Sequence, residues 1–112
     1  MPKYTFEETC ERIEQFTKDR DWDQFHSPEN LAKSIAIEAG ELLECFQWSP
    51  EADDELLSEE LADVLNYCIQ LAQKRGYDIC DIINKKIDKN AAKYPIEKCK
   101  GLSTKYDKLE GK

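Results

Sequence analysis

Apolar residues recur along most of this chain at steps of three and four, the spacing of a helix with one buried face. This pattern predicts four helices, which run from about Thr5 to Arg20, from Pro28 to Trp48, from Glu51 to Arg75 and from Ile79 to Lys93. The signals before them agree, since T-x-x-E at Thr5 is a capping box and Ser27 before a proline is a typical N-cap. No stretch shows the alternation of a strand, so the expected fold class is all-α, a four-helix bundle.

Two stretches lack a helical stripe. Residues 21–27 form an aromatic loop that contains Trp22, Phe25 and His26. Residues 96–112 are polar and rich in lysine, which is typical of a mobile tail or of one that lies on a partner subunit. We therefore expect one helical domain over residues 1–95 and a C-terminal tail over 96–112. The apolar arc of the third helix covers more than half of its circumference, and this width favours a homo-oligomer.

Carboxylates lie within or at the border of the apolar faces of two predicted helices. Glu38 lies within the apolar arc of the second helix, where an unpaired charge costs several kcal/mol, of order 3–5, unless it is protonated, paired or bound to a cation. The third helix carries Glu60 and Asp63, again three residues apart. If these faces pack together, Glu38, Glu41, Glu60 and Asp63 meet at one place. A site made only of oxygen ligands suits Mg²⁺ or Mn²⁺ better than Zn²⁺.

The length and the net charge of this 112-residue chain argue against several classes of function. The net charge of −8 argues against binding to a nucleic acid polymer or to an anionic membrane surface. No apolar run approaches the roughly 18 residues of a membrane span, and the first twenty residues lack the pattern of a signal peptide, so we expect a cytoplasmic protein. Five cysteines without C-x-x-C spacing predict buried thiols.

The order of the acidic motifs resembles a known family. The stretches from Glu38 to Glu41 and from Glu60 to Asp63 resemble the E-E-x-x-E and E-x-x-D motifs of the MazG-like all-α nucleoside triphosphate pyrophosphohydrolases, with Ile37 in place of the first glutamate. The 18 residues between Glu41 and Glu60 lie within the family's range. The segments DWDQFHSPENL, EAGELLECFQW, EELADVLNY, KIDKNAAKYP and STKYDKL resemble, in this order, the dCTP pyrophosphatase branch over nearly the whole chain.

This resemblance implies a function and an assembly. It implies a helical dimer of dimers that hydrolyses a (deoxy)nucleoside triphosphate, dCTP or a modified dCTP foremost, to the monophosphate and pyrophosphate. It also implies Mg²⁺, or Mn²⁺, bound by the four acids Glu38, Glu41, Glu60 and Asp63, and nucleotide contacts from Trp22, Trp48 and Tyr67. A histidine that contacts substrate in animal members aligns with Ile13 here, which leaves the base preference open.

Further candidates follow from the chemistry. A water, bound to the metal or oriented by Glu41 or Glu44, would attack the α-phosphorus, and pyrophosphate would leave. On the fourth helix Lys86, Asn90 and Lys93 continue the apolar stripe, so we expect them to face the phosphates, with Tyr94 nearby. We also predict that His26 binds substrate. The alternative is that His26 only makes hydrogen bonds within its own loop.

Simpler interpretations stay open at this point. Taken without the family, E-x-x-E on a helix is more often a solvated acidic face, and tryptophans such as Trp22 and Trp48 are more often packing anchors. A different class of function is a non-catalytic helical oligomerisation or partner-binding protein that uses the wide apolar face of the third helix. A third alternative keeps the enzyme but changes its substrate to dUTP, phosphoribosyl-ATP or a damaged nucleotide.

Overall fold

The structure, a computed structural model, describes residues 3–102 as helices joined by short loops, with no strand in that range. The elements are α1 (Phe6–Asp19), a 3₁₀ turn (Asp23–Phe25), α2 (Pro28–Glu44), α3 (Asp54–Arg75), α4 (Ile79–Lys93) and the short α5 (Ile96–Cys99). The predicted all-α class is confirmed. The chain divides into two compact units, of which the first ends at Tyr77 and the second begins at Asp78.

The predicted helix starts at Thr5 and Ser27 are confirmed by capping hydrogen bonds. The Glu8 amide donates to the Thr5 hydroxyl at 3.0 Å, and the Thr5 amide donates back to the Glu8 carboxylate at 2.9 Å. The Asn30 amide donates to the Ser27 hydroxyl at 3.1 Å. Each bond satisfies an amide that has no partner inside its helix, which fixes where α1 and α2 begin.

The predicted boundary between the second and third helices was wrong by several residues. α2 ends at Glu44 rather than Trp48, because the amides of Phe46 and Gln47 donate to carbonyls only three residues back and tighten the last turn. α3 begins at Asp54, because the Asp53 carboxylate accepts a hydrogen bond from the Leu56 amide at 2.9 Å.

The first residues of the predicted tail over 96–112 form a short helix. Pro95 ends α4, but it also starts α5, since its carbonyl accepts hydrogen bonds from the amides of Lys98 and Cys99 at 3.0 Å. A proline suits a helix start because its missing amide hydrogen would have no intrahelical partner there. The rest of the predicted tail, residues 103–112, lies outside the described residues.

Within the first unit, α2 packs extensively against α3, and α1 lies against α3 over a smaller area. Leu31 is fully buried and Ala72 is 5% exposed, so the buried apolar core is small. Two polar side chains of α3 add connections: Gln73 donates to the Cys10 carbonyl at 3.0 Å, and Lys74 pairs with Asp23 at 2.8 Å. Gly76, in the left-handed region at φ +70°, ends α3.

Large apolar side chains stay exposed on several helices. They include Ile37, Leu43, Leu61, Leu65, Ile82, Ile83 and Ile87. The prediction of buried thiols was wrong, since Cys68 and Cys80 are exposed and the other three cysteines are half-buried. The helix faces that carry them contain apolar residues, but no other part of the described chain covers those two thiols. Among the described residues, no helix is both long and apolar enough to cross a membrane.

Candidate functional site

Carboxylates from two helices converge where α2 packs against α3. One oxygen each from Glu38, Glu60 and Asp63 lies within 4.8 Å of the other two. Glu41 adds a fourth carboxyl, which is close enough to raise the pKa of both Glu38 and Glu60. The steps of three residues on each helix put both acids of a pair on the same face, and helix packing brings the two pairs together. We call these four residues the acidic cluster.

The charges of the acidic cluster oppose its full ionisation. The hydrogen bond with Glu41, together with burial and the neighbouring charges, raises the pKa of Glu38 to about 7. Burial, followed by the charges of Glu41 and Asp63, also raises the pKa of Glu60. Ionised carboxylates at this spacing repel one another unless a proton or a cation lies between them.

Two buried oxygen atoms of the acidic cluster indicate that a cation could lie between the carboxylates. Oε2 of Glu38 and Oε2 of Glu60 are both buried and accept no hydrogen bond. A buried acceptor without a partner costs about 1–3 kcal/mol, more if it is charged, and a bound cation removes that cost. All ligand atoms of the cluster are carboxylate oxygens, which suit a hard divalent cation such as Mg²⁺ or Mn²⁺. The residues present therefore fit the predicted metal.

An open cavity of about 420 Å³ adjoins the acidic cluster. It is lined by Glu41, Glu44, Cys45, Gln47, Leu56 and Glu60. Glu44, one of the two acids predicted to orient the attacking water, faces this cavity one helical turn beyond Glu41. A water held in the cavity would therefore have carboxylates on more than one side.

Two of the predicted substrate-binding residues, Tyr67 of α3 and His26 of the aromatic loop, lie near one another. Tyr67 follows Asp63 by one turn of α3, and its ring meets the ring of His26 edge-on, with centroids 6.4 Å apart. The His26 Nδ1 atom is buried and has no hydrogen-bond partner. The aromatic loop thus places the single histidine beside the helix that carries half of the acidic cluster.

The two tryptophans lie at more exposed positions. Trp22 is 45% exposed and makes a T-shaped contact with Phe16 at 5.8 Å, after Asp21 has turned the chain through the left-handed region. Trp48 lies beyond the end of α2 and is 90% exposed. Neither contact pattern connects an indole to the acidic cluster, so nucleotide stacking by these residues stays a prediction.

The remaining predicted residues belong to the second unit. Lys86, Asn90 and Lys93 share one face of α4 at steps of four and three, and Tyr94 follows that helix. All four are exposed, as are Ile82, Ile83 and Ile87 on the same helix. Their proposed contacts with phosphates stay a prediction.

Sequence reasoning missed a second cavity, of about 330 Å³, on the first unit. It is lined by His26 and Leu31 and by polar residues of α1, the aromatic loop and α3, which include Gln70, Gln73 and Lys74. One feature of the sequence could have indicated the α3 wall of this cavity. A single face of α3 carries polar residues at helical spacing, namely Asp63, Tyr67, Gln70 and Lys74. The part of the wall that comes from α1 could not be found this way, since it depends on how α1 packs.

The helical fold and the acidic cluster define a class of protein, and comparison with known proteins agrees with it. Residues 33–109 match the MazG-like family, and the chain belongs to that family. It is 36% identical to dCTP pyrophosphatase 1 of Mus musculus and 35% identical to dCTP pyrophosphatase 1 of Homo sapiens, in each case over 96% of this chain and 69% of the relative.

A solved structure supports the same class. The crystal structure of a pyrophosphatase from Archaeoglobus fulgidus DSM 4304 matches with a TM-score of 0.74 and 36% identity, over 85% of this chain and 96% of that chain. The predicted membership in the dCTP pyrophosphatase branch of the family is confirmed, and so is the predicted enzyme class, a nucleotide pyrophosphohydrolase.

Proposed function

We propose that this protein hydrolyses dCTP or a modified dCTP to the monophosphate and pyrophosphate, and so removes unwanted nucleotides from the cellular pool. Mg²⁺, or Mn²⁺ in its place, would be held by Glu38, Glu41, Glu60 and Asp63. The observation that carries the proposal is that carboxylate oxygens of Glu38, Glu60 and Asp63 lie within 4.8 Å of one another. In addition, Glu38 and Glu60 each have a buried oxygen without a hydrogen-bond partner. The dCTP pyrophosphatase relatives support the choice of substrate.

The acidic cluster supplies the chemistry that this reaction requires. When bound, a divalent cation neutralises phosphate oxygens and lowers the pKa of water in contact with it. Glu41 and Glu44, which line the adjoining cavity, orient the attacking water and accept its proton. A bond forms between the water oxygen and the α-phosphorus, the bond to the bridging oxygen breaks, and pyrophosphate leaves.

Other residues of the chain hold the nucleotide in this proposal. His26 and Tyr67 contact the nucleoside beside α3, and Trp22 and Trp48 offer flat faces for stacking, worth about 1–3 kcal/mol per base. The exposed α4 residues Lys86, Asn90 and Lys93, with Tyr94 after them, are proposed as phosphate-binding residues, because amine and amide donors balance negative charge.

The first test removes single ligands from the acidic cluster. We expect Glu41→Gln and Asp63→Asn each to lower the rate of pyrophosphate release from dCTP with Mg²⁺ by more than about 100-fold, because charge next to the reacting phosphate is lost. Circular dichroism should show the same helical content as in the wild type. Glu59→Gln is the matched control, since Glu59 is an exposed neighbour on α3 that lies outside the cluster.

Full activity in both cluster variants would refute the metal assignment. A loss of activity in Glu59→Gln as large as in the cluster variants would show that the effect is not specific to the site. A panel of canonical and modified nucleoside triphosphates, scored for monophosphate and pyrophosphate, then decides between dCTP, dUTP and damaged nucleotides.

A second candidate function is a non-catalytic partner-binding protein. The exposed apolar residues Leu61 and Leu65 of α3 favour it, because such faces commonly pair with another chain. The two functions differ in one measurement. An enzyme of the proposed kind should be stabilised against heat by nucleotides only when Mg²⁺ is present, whereas a protein without a metal site should show no such dependence.

The same apolar residues support a homo-oligomer, a dimer of dimers, in the proposed enzyme. The described chain buries few of its large apolar side chains by itself. A second copy of this chain would cover them, and this arrangement is compatible with catalysis, because the acidic cluster is built from α2 and α3 of one chain.

A further inference from the structure

The second cavity of the first unit is suited to an uncharged group. Its charged lining residues are already paired: Lys18 with Glu14 at 2.9 Å, and Lys74 with Asp23 at 2.8 Å. A phosphate would have to compete with these carboxylates for the two ammonium groups. A flat, neutral ring meets no such obstacle, and the fully buried Leu31 provides an apolar part of the wall.

Two side chains that line this cavity have a polar atom without a partner. Oε1 of Gln70 and Nδ1 of His26 are both buried and make no hydrogen bond. In the structure the Gln70 amide nitrogen donates to the side-chain oxygen of Asn66 at 2.6 Å, and the other terminal atom of Gln70 is the acceptor. Gln70 thus offers an unused acceptor, and His26 offers a ring nitrogen that can carry a proton.

The position of Gln70 relates the cavity to the acidic cluster. Gln70 follows Asp63 by seven residues on α3, so the two side chains leave the helix in nearly the same direction about 10 Å apart. A nucleoside with its first phosphate can span that separation. Tyr67 lies between them on the same stripe, and its ring contacts His26.

We propose that Gln70 determines base specificity by accepting a hydrogen bond from the exocyclic amino group of a nucleobase bound in this cavity. His26 Nδ1 donates to the adjacent ring nitrogen of that base. Cytosine presents this arrangement of an amino group beside a ring-nitrogen acceptor, whereas uracil presents a carbonyl beside an N–H. This inference rests on the proposed hydrolysis of nucleotides.

A small movement of Gln70 is part of the proposal. Its Oε1 atom and the Nδ1 atom of His26 are both covered in the present conformation, so the proposal requires each side chain to rotate until that atom reaches the cavity surface. The rotation of Gln70 breaks the exposed hydrogen bond to Asn66, whose oxygen can then bond to water, and gives a partner to a buried acceptor that otherwise has none. A carbonyl at the same position of the base has no hydrogen to donate to the Oε1 atom of Gln70.

The experiment compares hydrolysis of dCTP and dUTP by the wild type, Gln70→Leu, Gln70→Glu and Gln15→Leu, with kcat/KM measured for each. Gln70→Leu removes the acceptor and should lower the ratio of dCTP to dUTP efficiency by about tenfold or more. Gln70→Glu keeps an acceptor oxygen and should retain the preference for dCTP. Gln15→Leu is the control, because Gln15 makes a comparable contact with Asp19, at 2.6 Å, on the exposed side of α1.

A second measurement is independent of catalysis. Binding of 2′-deoxycytidine and of 2′-deoxyuridine to the metal-free protein is followed through the side-chain NH₂ signals of Gln70 in NMR spectra. We expect the signals to shift with deoxycytidine and to stay unchanged with deoxyuridine.

The outcomes separate the two proposals. An unchanged efficiency ratio in Gln70→Leu, or equal shifts with both nucleosides, would overturn the role of Gln70 while leaving the hydrolase intact. If the wild type hydrolyses neither nucleotide, the proposed function fails, and the nucleoside titration alone decides whether Gln70 reads the base. Thermal unfolding identifies any variant that has lost its fold, and Gln70→Glu then provides the test.

Discussion

At the scale of single residues, Glu38 connects the fold to the chemistry. One of its oxygens is buried without a partner, and Glu41, Glu60 and Asp63 all raise its pKa. A carboxyl in this position destabilises the metal-free fold whenever it is ionised. Its retention inside a helix interface is physically reasonable only if another group, a proton or a cation, offsets the repulsion.

This property predicts how stability depends on pH without metal. Between the ordinary value of 4.5 and a folded-state pKa of about 7, the folded chain keeps a proton on Glu38 that the unfolded chain releases. The folded state of the metal-free protein should therefore lose stability as pH rises through this window. Thermal unfolding in EDTA at pH 5, 6, 7 and 8 measures the slope.

The comparison is with Glu38→Gln, which cannot ionise and should show a shallower decline over the same range. Mg²⁺ should raise the unfolding temperature of the wild type most at the high end of the range, where the carboxylate is charged. If the two proteins had identical slopes, Glu38 would not be the group responsible.

At the scale of elements, much of the helical pattern could be read from the sequence. The starts of α1 and α2 were predictable, because Thr5 and Ser27 cap their helices through local hydrogen bonds. The meeting of Glu38 with Glu60 was predictable as well, since apolar faces must pack and each pair of acids interrupts one of them. These features depend on neighbours within a few residues or on one helix face.

Other features depend on geometry that a periodic pattern does not contain. The apolar pattern continues to Trp48, yet α2 ends at Glu44, because the last turn tightens before the loop. The position of Gln70 in the wall of a cavity depends on where α1 and the aromatic loop lie against α3, and in the sequence Gln70 resembles any solvent-facing glutamine. The exposure of Cys68 and Cys80 likewise depends on which faces of the chain are covered.

The corrected start of α3 gives a prediction for that element. Asp53→Ala removes the acceptor of the Leu56 amide and should lower the free energy of unfolding by about 1 kcal/mol, the usual cost of a lost N-cap. Urea denaturation monitored by circular dichroism measures the change. Asp53→Ser restores a capping oxygen and should recover most of the stability. An alanine variant as stable as the wild type would place the helix start elsewhere.

At the scale of the whole molecule, the small buried core is the dominant feature. Leu31 and Ala72 are the buried apolar residues of the described chain, whereas many larger apolar side chains are exposed. A domain of this length usually buries well over half of the surface of its unfolded chain. Association with further copies of the chain would therefore add a substantial part of its stability.

This argument predicts the effect of a charge on the exposed face of α3. Leu65→Asp should shift the protein toward a smaller species in sedimentation velocity and lower its unfolding temperature, because a carboxylate cannot be buried in an apolar interface without a large cost. Leu65→Met keeps an apolar side chain of similar volume and should associate as the wild type does. A wild type that sediments as a monomer at all concentrations would exclude the interface.

The limited contact between α1 and α3 has a consequence for substrate tolerance. One wall of the Gln70 cavity belongs to α1, which lies against α3 over a small area, and the opposite wall belongs to the extensively packed α2–α3 pair. The side of the cavity that α1 forms is therefore held to α3 by a smaller contact than the side formed by α2 and α3. If the proposed function holds, we expect a cytosine enlarged by a ring substituent to be admitted by an outward shift of α1, while the acidic cluster between α2 and α3 stays in place.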